Sequence, residues 1–420
     1  MSAKPGLSVW WDGMEVGVLR VDQSGQTSFT YLAEWLQRDN ASPISFALPL
    51  QTEPFSHREC RPFFDGLLPE AKQREIIASV LGVSQANHYK LLEALGGEIA
   101  GALTLWPEGE TPPSPRNSET DPETLSSKEL IDILDRLPVT PMLAGQDGLR
   151  LSLAGAQSKL PVIKTTDGIA LPAAGQPTTH ILKPPIARFE HTTENEAFAM
   201  RLAAKIGLPV APIEIAWAED RAFLLVERYD RVRSDDGHWQ RIHQEDFCQA
   251  LGCLPERKYA SEGGPVFRDC FQLLRSVTTR PAREVLKLLD AAIFNLIIGN
   301  ADAHEKNYSL IYRDRETTMA PLYDLLSTVA YPELAPNLAM KIAKRGRLEE
   351  IEKRNWSDFA ADIGMSEPFI RRRVGDLCEL VTEQVGQTAG SLQTAKTNGA
   401  AIDRFAEFVG DRAVRLRLKV

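Results

Sequence analysis

The chain has 420 residues, 43% of them hydrophobic and 25% charged, which is the make-up of an ordinary globular protein and excludes wholesale disorder. At roughly 150 residues per domain, that length implies two to three domains. A formal charge of −9 and a pI near 5.5 exclude a broad nucleic-acid-wrapping face, because phosphate binding runs on Lys and Arg; a local basic patch stays open.

No apolar stretch approaches the roughly 20 residues needed to cross a bilayer, so no membrane association is expected. The start, Met1 to Pro5, runs into Trp10 and Asp12 without the apolar core of a signal peptide. The five cysteines (Cys60, Cys248, Cys253, Cys270, Cys378) are odd in number and scattered, which suits buried free thiols and a reducing cytoplasm.

In chain order, Leu7 to Tyr31 reads as short strands, with Val16 and Val18 flanking Gly17 and turns at Asp12-Gly13 and Ser24-Gly25. Helical periodicity covers Leu67 to Leu81 and Tyr89 to Leu95, and Ala102 to Leu105 is strand-like. Glu108 to Glu123 holds Pro112, Pro113, Pro115 and Pro122 among Ser, Thr and Glu, and reads as a linker. Strands are expected at Leu149–Leu151, Leu160–Ile163 and Ile181–Leu182. A helix then follows, with Thr193 and Glu196 at capping-box spacing and Gly207 as its stop. Ile213–Trp217 and Phe223–Val226 are strands again. From Gln244 onward the pattern is mostly helical, with Leu286 to Ile298 the most apolar segment. Strands first and helices afterwards is the order of an α+β, two-lobed protein. The divisions are 1–107, a linker and connecting helix over 108–148, a β-rich part over 149–230, and a helical lobe over 231–420.

The sharpest local signal is Asn300-Ala301-Asp302-Ala303-His304-Glu305-Lys306-Asn307. An Asp followed five residues later by an Asn has the spacing of a phosphotransferase catalytic loop: the Asp takes or orients the hydroxyl proton, and the Asn oxygen ligates magnesium. Tyr323-Asp324 would add a hard oxygen ligand. Taken alone, these residues are equally readable as loop caps. Ser152 to Lys159 is rich in small residues whose amides could form an anion-binding nest, or simply a hairpin turn. Lys183 ends an apolar strand, where kinases keep a phosphate-pairing lysine and where many lysines are merely solvated. Glu196 is either its ion-pair partner or the return half of the capping box. Leu225 to Asp230 reads as an interlobe hinge. The cluster Lys341, Lys344, Arg345 and Arg347 is either a solvated helix face or a phosphate contact.

The order of phosphate loop, Lys, helix Glu, hinge, Asp…Asn and metal Asp resembles the HipA family of bacterial serine/threonine kinases, the toxin half of HipBA-type toxin–antitoxin systems. The stretches carrying the resemblance are Phe63 to Pro69, Ser152 to Lys159, His180 to Lys183, Val226 to Arg231, Gln244 to Gln249, Asn300 to Asn307 and Tyr323-Asp324. The resemblance implies a two-lobed protein-kinase-like α+β fold, with an N-terminal α/β subdomain and a mainly helical C-terminal lobe. It implies ATP and Mg2+ as cofactors. Asp302 becomes the catalytic base, with Asn307 and Asp324 as metal ligands. Nucleotide contacts fall on Ala154, Gly155, Ala156, Gln157, Ser158, Lys159, Lys183, Glu227, Arg228, Tyr229, His304, Glu305, Lys306, Asn307, Tyr323 and Asp324. Ser152 matches a self-phosphorylated serine whose modification displaces the phosphate loop. Departures from the family pattern are Ala301 and Ala303 beside Asp302, Tyr229 in place of Phe, and Ser158 at a position often Glu. The implied partners are a HipB-like helix-turn-helix antitoxin, operator DNA reached mainly through it, and a protein substrate such as the glutamate aminoacyl-tRNA synthetase, with translation arrest and persistence as the outcome. A small-molecule kinase and a nucleotide-binding corepressor scaffold are the competing readings.

Overall fold

Short strands separated by Asp-Gly and Ser-Gly turns make the N-terminal stretch a sheet, as expected; the first two each hold four consecutive buried residues. The computed structural model describes residues 6–113, 122–235 and 237–420, with Ser261 by its backbone only. Met1–Pro5 and Pro115 of the expected linker lie outside the described residues. In chain order the elements are β1 (Gly6–Trp11), β2 (Met14–Val21), β3 (Thr27–Tyr31), α1 (Ala33–Leu36), α2 (His57–Gly66), α3 (Ala71–Val80), α4 (His88–Leu95), β4 (Leu103–Pro107), α5 (Ser127–Arg136), β5 (Leu160–Lys164), β6 (Ile169–Ala170), β7 (His180–Lys183), α6 (Thr192–Lys205), β8 (Ile213–Ala218) and β9 (Arg221–Glu227). They continue as β10 (Arg231–Arg233), β11 (Trp239–Arg241), β12 (His243–Asp246), α7 (Phe247–Ala250), α8 (Phe267–Val277), α9 (Pro281–Ile298), β13 (Ser309–Arg313), β14 (Glu316–Met319), α10 (Lys353–Ile363), α11 (Glu367–Leu392) and α12 (Gly399–Arg417).

Two compact units result. The first takes the chain up to Pro184 together with Leu225–Glu256 and Ile311–Arg315; the second takes Pro185–Leu224, Arg257–Leu310 and Glu316–Val420. In the first, the antiparallel sheet β3-β2-β1-β4 covers a core that includes Phe29, Phe63 and Phe64. β7, β5 and β6 form a second antiparallel set. The helix expected over Leu67–Leu81 begins only at Ala71. Pro69 disfavours helical backbone at Leu68, so Leu67 to Glu70 make a turn. The helix before that turn, α2, was not anticipated; its start is a capping box between Ser56 and Glu59. The strand expected at Leu149–Leu151 shrinks to one bridge, between Leu151 and Glu98.

The second unit is helical around Phe271, Phe294, Trp356 and Phe405, with α6, α9, α11 and α12 packed on one another. Pro281 opens α9 and Gly299, at φ 72°, closes it. Arg412 on α12 donates from Nε to the Ile297 carbonyl and from Nη2 to that of Leu296, both at 2.9 Å, and so satisfies the end of α9. Two expectations fail here. α6 starts at Thr192 behind a left-handed His191 (φ 58°), and the Thr192 hydroxyl accepts from the Ile186 amide, so Thr193 and Glu196 are buried helix residues and not a capping box. The stretch from Gln244 onward is mostly helical, as expected, although Gln244 itself lies in β12 and the short strands β13 and β14 interrupt the run. Lys341 to Arg347 is no helix face: Ile342 and Arg345 pair across a tight turn whose Ala343 and Lys344 have φ of 46° and 66°.

Among the described residues no helix is long and apolar enough to cross a membrane. None of the five cysteines is in a disulfide; four are buried and Cys253 is half-buried.

Candidate active site

The segment after α9 is built so that one side chain stands out. Asn300, Ala301 and the run Ala303 to Lys306 are buried, Asn307 is half-buried, and Asp302 between them is exposed. Backbone and side-chain bonds fix the loop from several sides. The Ala301 amide donates to Thr328 Oγ1 at 2.7 Å, and the Ala339 amide donates to the Ala301 carbonyl at 2.8 Å. The Asp302 amide donates to Asn300 Oδ1, while its carbonyl accepts from the His304 amide and from Asn307 Nδ2. Asn300 Nδ2 also donates to the carbonyls of Asn295 Oδ1 (3.0 Å) and the Asp324 backbone (3.2 Å), which ties Asp324 to the loop. Tyr323 donates its hydroxyl to the Lys306 carbonyl at 2.8 Å. Asp324 is half-buried at φ 58°, a left-handed conformation that Asp tolerates better than most residues and that concentrates at functional sites. The second unit therefore brings Asp302, His304 to Asn307, Tyr323 and Asp324 together.

The first unit holds the other expected residues. Ser152 is fully buried; its amide donates to the Glu98 carbonyl at 2.9 Å and its hydroxyl to the Leu67 carbonyl at 2.7 Å. Ala154 to Lys159 is partly exposed, with Ala156 the most open. The loop closes on itself through Lys159 Nζ, which donates to the Ala154 carbonyl at 2.6 Å. The Glu70 amide donates to the Gly155 carbonyl, and Gln73 Nε2 to Ser158 Oγ. Gly155 sits at φ 109°, a backbone conformation that calls for glycine; a Cβ there would also lie 2.6 Å from Lys159 Nζ, which would have to move aside. Lys183 is buried at the end of β7. Glu227 is exposed and Tyr229 half-buried, its hydroxyl donating to Gln244 Oε1.

Arg228 behaves differently from its neighbours. It is buried, and its guanidinium is taken up by Asp230, Glu98, Thr178 and the Ile99 carbonyl. Glu98 is the hub of that cluster. Its Oε1 accepts from Arg231 Nη2 at 2.7 Å and from both the amide and hydroxyl of Thr178, and its Oε2 accepts from Arg241 Nη2 at 2.6 Å. Burial alone would raise the Glu98 carboxyl, but Arg241, Arg231 and Arg228 outweigh it and hold that carboxyl well below the usual range.

Sequence reasoning missed Glu98, Asn195, Thr328 and Tyr259. Asn195 is buried beside Glu196 and exchanges bonds with the Ser327 amide and carbonyl. Tyr259 donates its hydroxyl to Asp302 Oδ1 at 2.9 Å. No motif spacing marks any of them; only Lys258-Tyr259 ahead of Gly263-Gly264 hints at a turn with a purpose.

With this geometry in place, the likeness to known proteins is specific. Residues 7–106 match the HipA N-terminal domain and residues 151–385 the HipA-like C-terminal domain. The chain is 56% identical over 418 residues, 99% of both proteins, to Y4mE of Sinorhizobium fredii, which carries a provisional kinase name. It is 33% identical over 341 residues, 78% of this chain and 76% of the relative, to the serine/threonine-protein kinase toxin HipA of Shewanella oneidensis. Among solved structures, a chain of the Shewanella oneidensis complex of HipA, HipB and operator DNA aligns with a TM-score of 0.86 at 27% identity, over 97% of each chain. The fold is thus α+β and kinase-like. The chain belongs to the HipA family.

Proposed function

We propose that the chain is an ATP-dependent serine/threonine protein kinase and the toxin of a toxin–antitoxin pair. The observation that carries this reading is Asp302, the exposed carboxylate of an otherwise buried and heavily bonded loop. Phosphoryl transfer asks little covalent chemistry of a protein; it asks for positioning and charge neutralisation. In this reading Asp302 accepts the proton of the substrate hydroxyl as that oxygen attacks the γ-phosphorus and ADP leaves. Ala154 to Lys159 offer backbone amides to the phosphates, Lys183 a counter-charge, and Glu227 to Tyr229 backbone groups to the adenine edge. His304 to Asn307 and Tyr323 line the nucleotide. The donor set fits magnesium: the Asn307 amide spends its NH2 on the Asp302 carbonyl, leaving an oxygen as its ligand atom, and Asp324 adds a carboxylate, both hard donors. The bound ion would neutralise phosphate charge.

Ser152 is the expected self-phosphorylation site. Its hydroxyl must first leave the Leu67 carbonyl, and a phosphate, with about −1.5 to −2 charges at neutral pH, cannot return to that buried place beside ATP. Modification therefore switches the enzyme off. The partners in this reading are a helix-turn-helix antitoxin and, through it, operator DNA; in support, the solved complex of the Shewanella relative contains HipA, HipB and operator DNA. The substrate is a translation component, an aminoacyl-tRNA synthetase such as the glutamate enzyme. The test is Asp302→Asn with labelled ATP: this removes the base while keeping its size. Label on protein serine in the parent and none in the variant is the expected result. Undiminished transfer in the variant would overturn the mechanism, and label confined to a metabolite would favour a small-molecule kinase.

A further inference from the structure

We infer that Tyr259 is a positioning residue for the reacting carboxylate: its phenol holds Oδ1 of Asp302 and so sets the direction from which a substrate hydroxyl meets that side chain. This rests on the kinase reading above and adds a residue to it. Asp302 is exposed, and an exposed carboxylate on a loop rotates among rotamers unless something fixes it. The backbone bonds already described hold the Cα of Asp302; the side-chain bond from Tyr259, 2.9 Å long, fixes its carboxylate.

Tyr259 is itself held. Its ring meets the buried His304 edge-on, with centroids 5.6 Å apart and planes at 74°, and Lys258 Nζ lies 5.3 Å from its centroid. Its carbonyl accepts from the amides of Glu262 (2.8 Å) and Gly264 (3.1 Å), which curls residues 259 to 264 into a tight turn. A Cβ on Gly264 would lie 2.1 Å from the Arg257 carbonyl oxygen and 3.0 Å from that of Tyr259. Both are backbone atoms that cannot step aside, so the turn admits glycine alone. A turn this constrained, ending in a hydroxyl on the one exposed carboxylate of the loop, is suited to holding a reacting group in place.

The consequence is kinetic. Losing the phenol leaves nucleotide binding untouched, because Tyr259 serves the proton acceptor, and it lowers the rate of the chemical step by about tenfold, the order expected when a reacting group loses its alignment. The experiment compares the full-length parent, Tyr259→Phe and Asp302→Asn, each titrated with Mg–ATP and casein as acceptor, following ADP release and label on the chain itself, with thermal unfolding of each form. A kcat down about tenfold in Tyr259→Phe, with the KM for ATP and the unfolding temperature unchanged, supports the inference. Unchanged kcat, raised kcat, a changed KM at constant kcat, or a variant that no longer folds each overturns it: these would make the phenol idle, a gate, a binding group or a structural prop. If Asp302→Asn turns over like the parent, or the parent releases no ADP, the kinase reading itself falls, and the inference with it.

Discussion

Replacing Glu98 by Gln keeps its size and removes one charge from a buried ion-pair cluster of the first unit. Glu98 and Asp230 there face the guanidiniums of Arg228, Arg231 and Arg241, two negative charges against three positive. The variant leaves one against three. The arginines stay buried, since Arg228 and Arg231 are only 3% and 6% exposed, so their lost partner is not replaced by water. Breaking a buried pair in this way costs about 3–5 kcal/mol, against a total stability of about 5–15 kcal/mol for an ordinary domain. Urea unfolding followed by tryptophan fluorescence reads the loss, with Trp106, stacked under Arg150, as a reporter in the same unit. The pH dependence follows from the direction of the shift. The folded carboxyl lies below its unfolded value of about 4.3, so its contribution is whole above that pH and fades as pH falls toward the folded value. The gap between parent and variant should be full at pH 7 and narrower at pH 3. A loss under about 1 kcal/mol at neutral pH, or a gap that widens on acidification, would refute the view of Glu98 as the hub.

Glu245 gives the opposite sign. Burial pushes its carboxyl up to about 7, although Ser45, Tyr312 and the Phe46 amide donate to it. A raised value means stability that is present below about pH 4.3 and is mostly lost by pH 7, on the order of 3–4 kcal/mol in all. Glu245→Gln should abolish that decline, and urea midpoints at pH 5 and pH 8 that fall as steeply in the variant would count against it. For self-control, Ser152→Ala should remove most self-incorporated phosphate, and phosphorylated protein should bind ATP at least tenfold more weakly than unmodified protein; mass spectrometry and nucleotide titration check both, and a phosphate found solely on Ser158 would contradict the scheme.

How much could be read in advance depended on how far apart in the chain the interacting groups lie. Asp302 and Asn307 sit within one octet, so their spacing carries the chemistry, and the apolar run to Ile298 announces the rigid element before them. Strand alternation and the Pro281 and Gly299 signals are equally local. Tyr259 stands 43 residues before the aspartate it bonds, and Glu98 stands 130 to 143 before its arginines; no periodicity encodes such pairs. Local rules also misled where two of them competed. Thr193 and Glu196 have the spacing of a cap, but His191 turns left-handed and takes the cap position two residues before Thr193. Arg228 is a different case: its guanidinium is committed to the distant Glu98 as well as to Asp230, which no local rule announces, while the hinge reading concerns its backbone.

The Arg412 cap on α9 places a condition on the order of synthesis. The two carbonyls it donates to, at Leu296 and Ile297, lie in the last turn before Gly299 and the loop of Asp302, yet the arginine is translated 115 residues after Ile297. It also lies beyond the 151–385 stretch shared with the family's C-terminal domain. A nascent chain therefore carries every residue of the Asp302 loop for more than a hundred peptide bonds before the helix presenting that loop has its end satisfied. On the function proposed above, with a translation component as substrate, this amounts to a delay written into the chain itself. It also warns that a fragment cut at the family boundary would keep the whole loop and lose what steadies it.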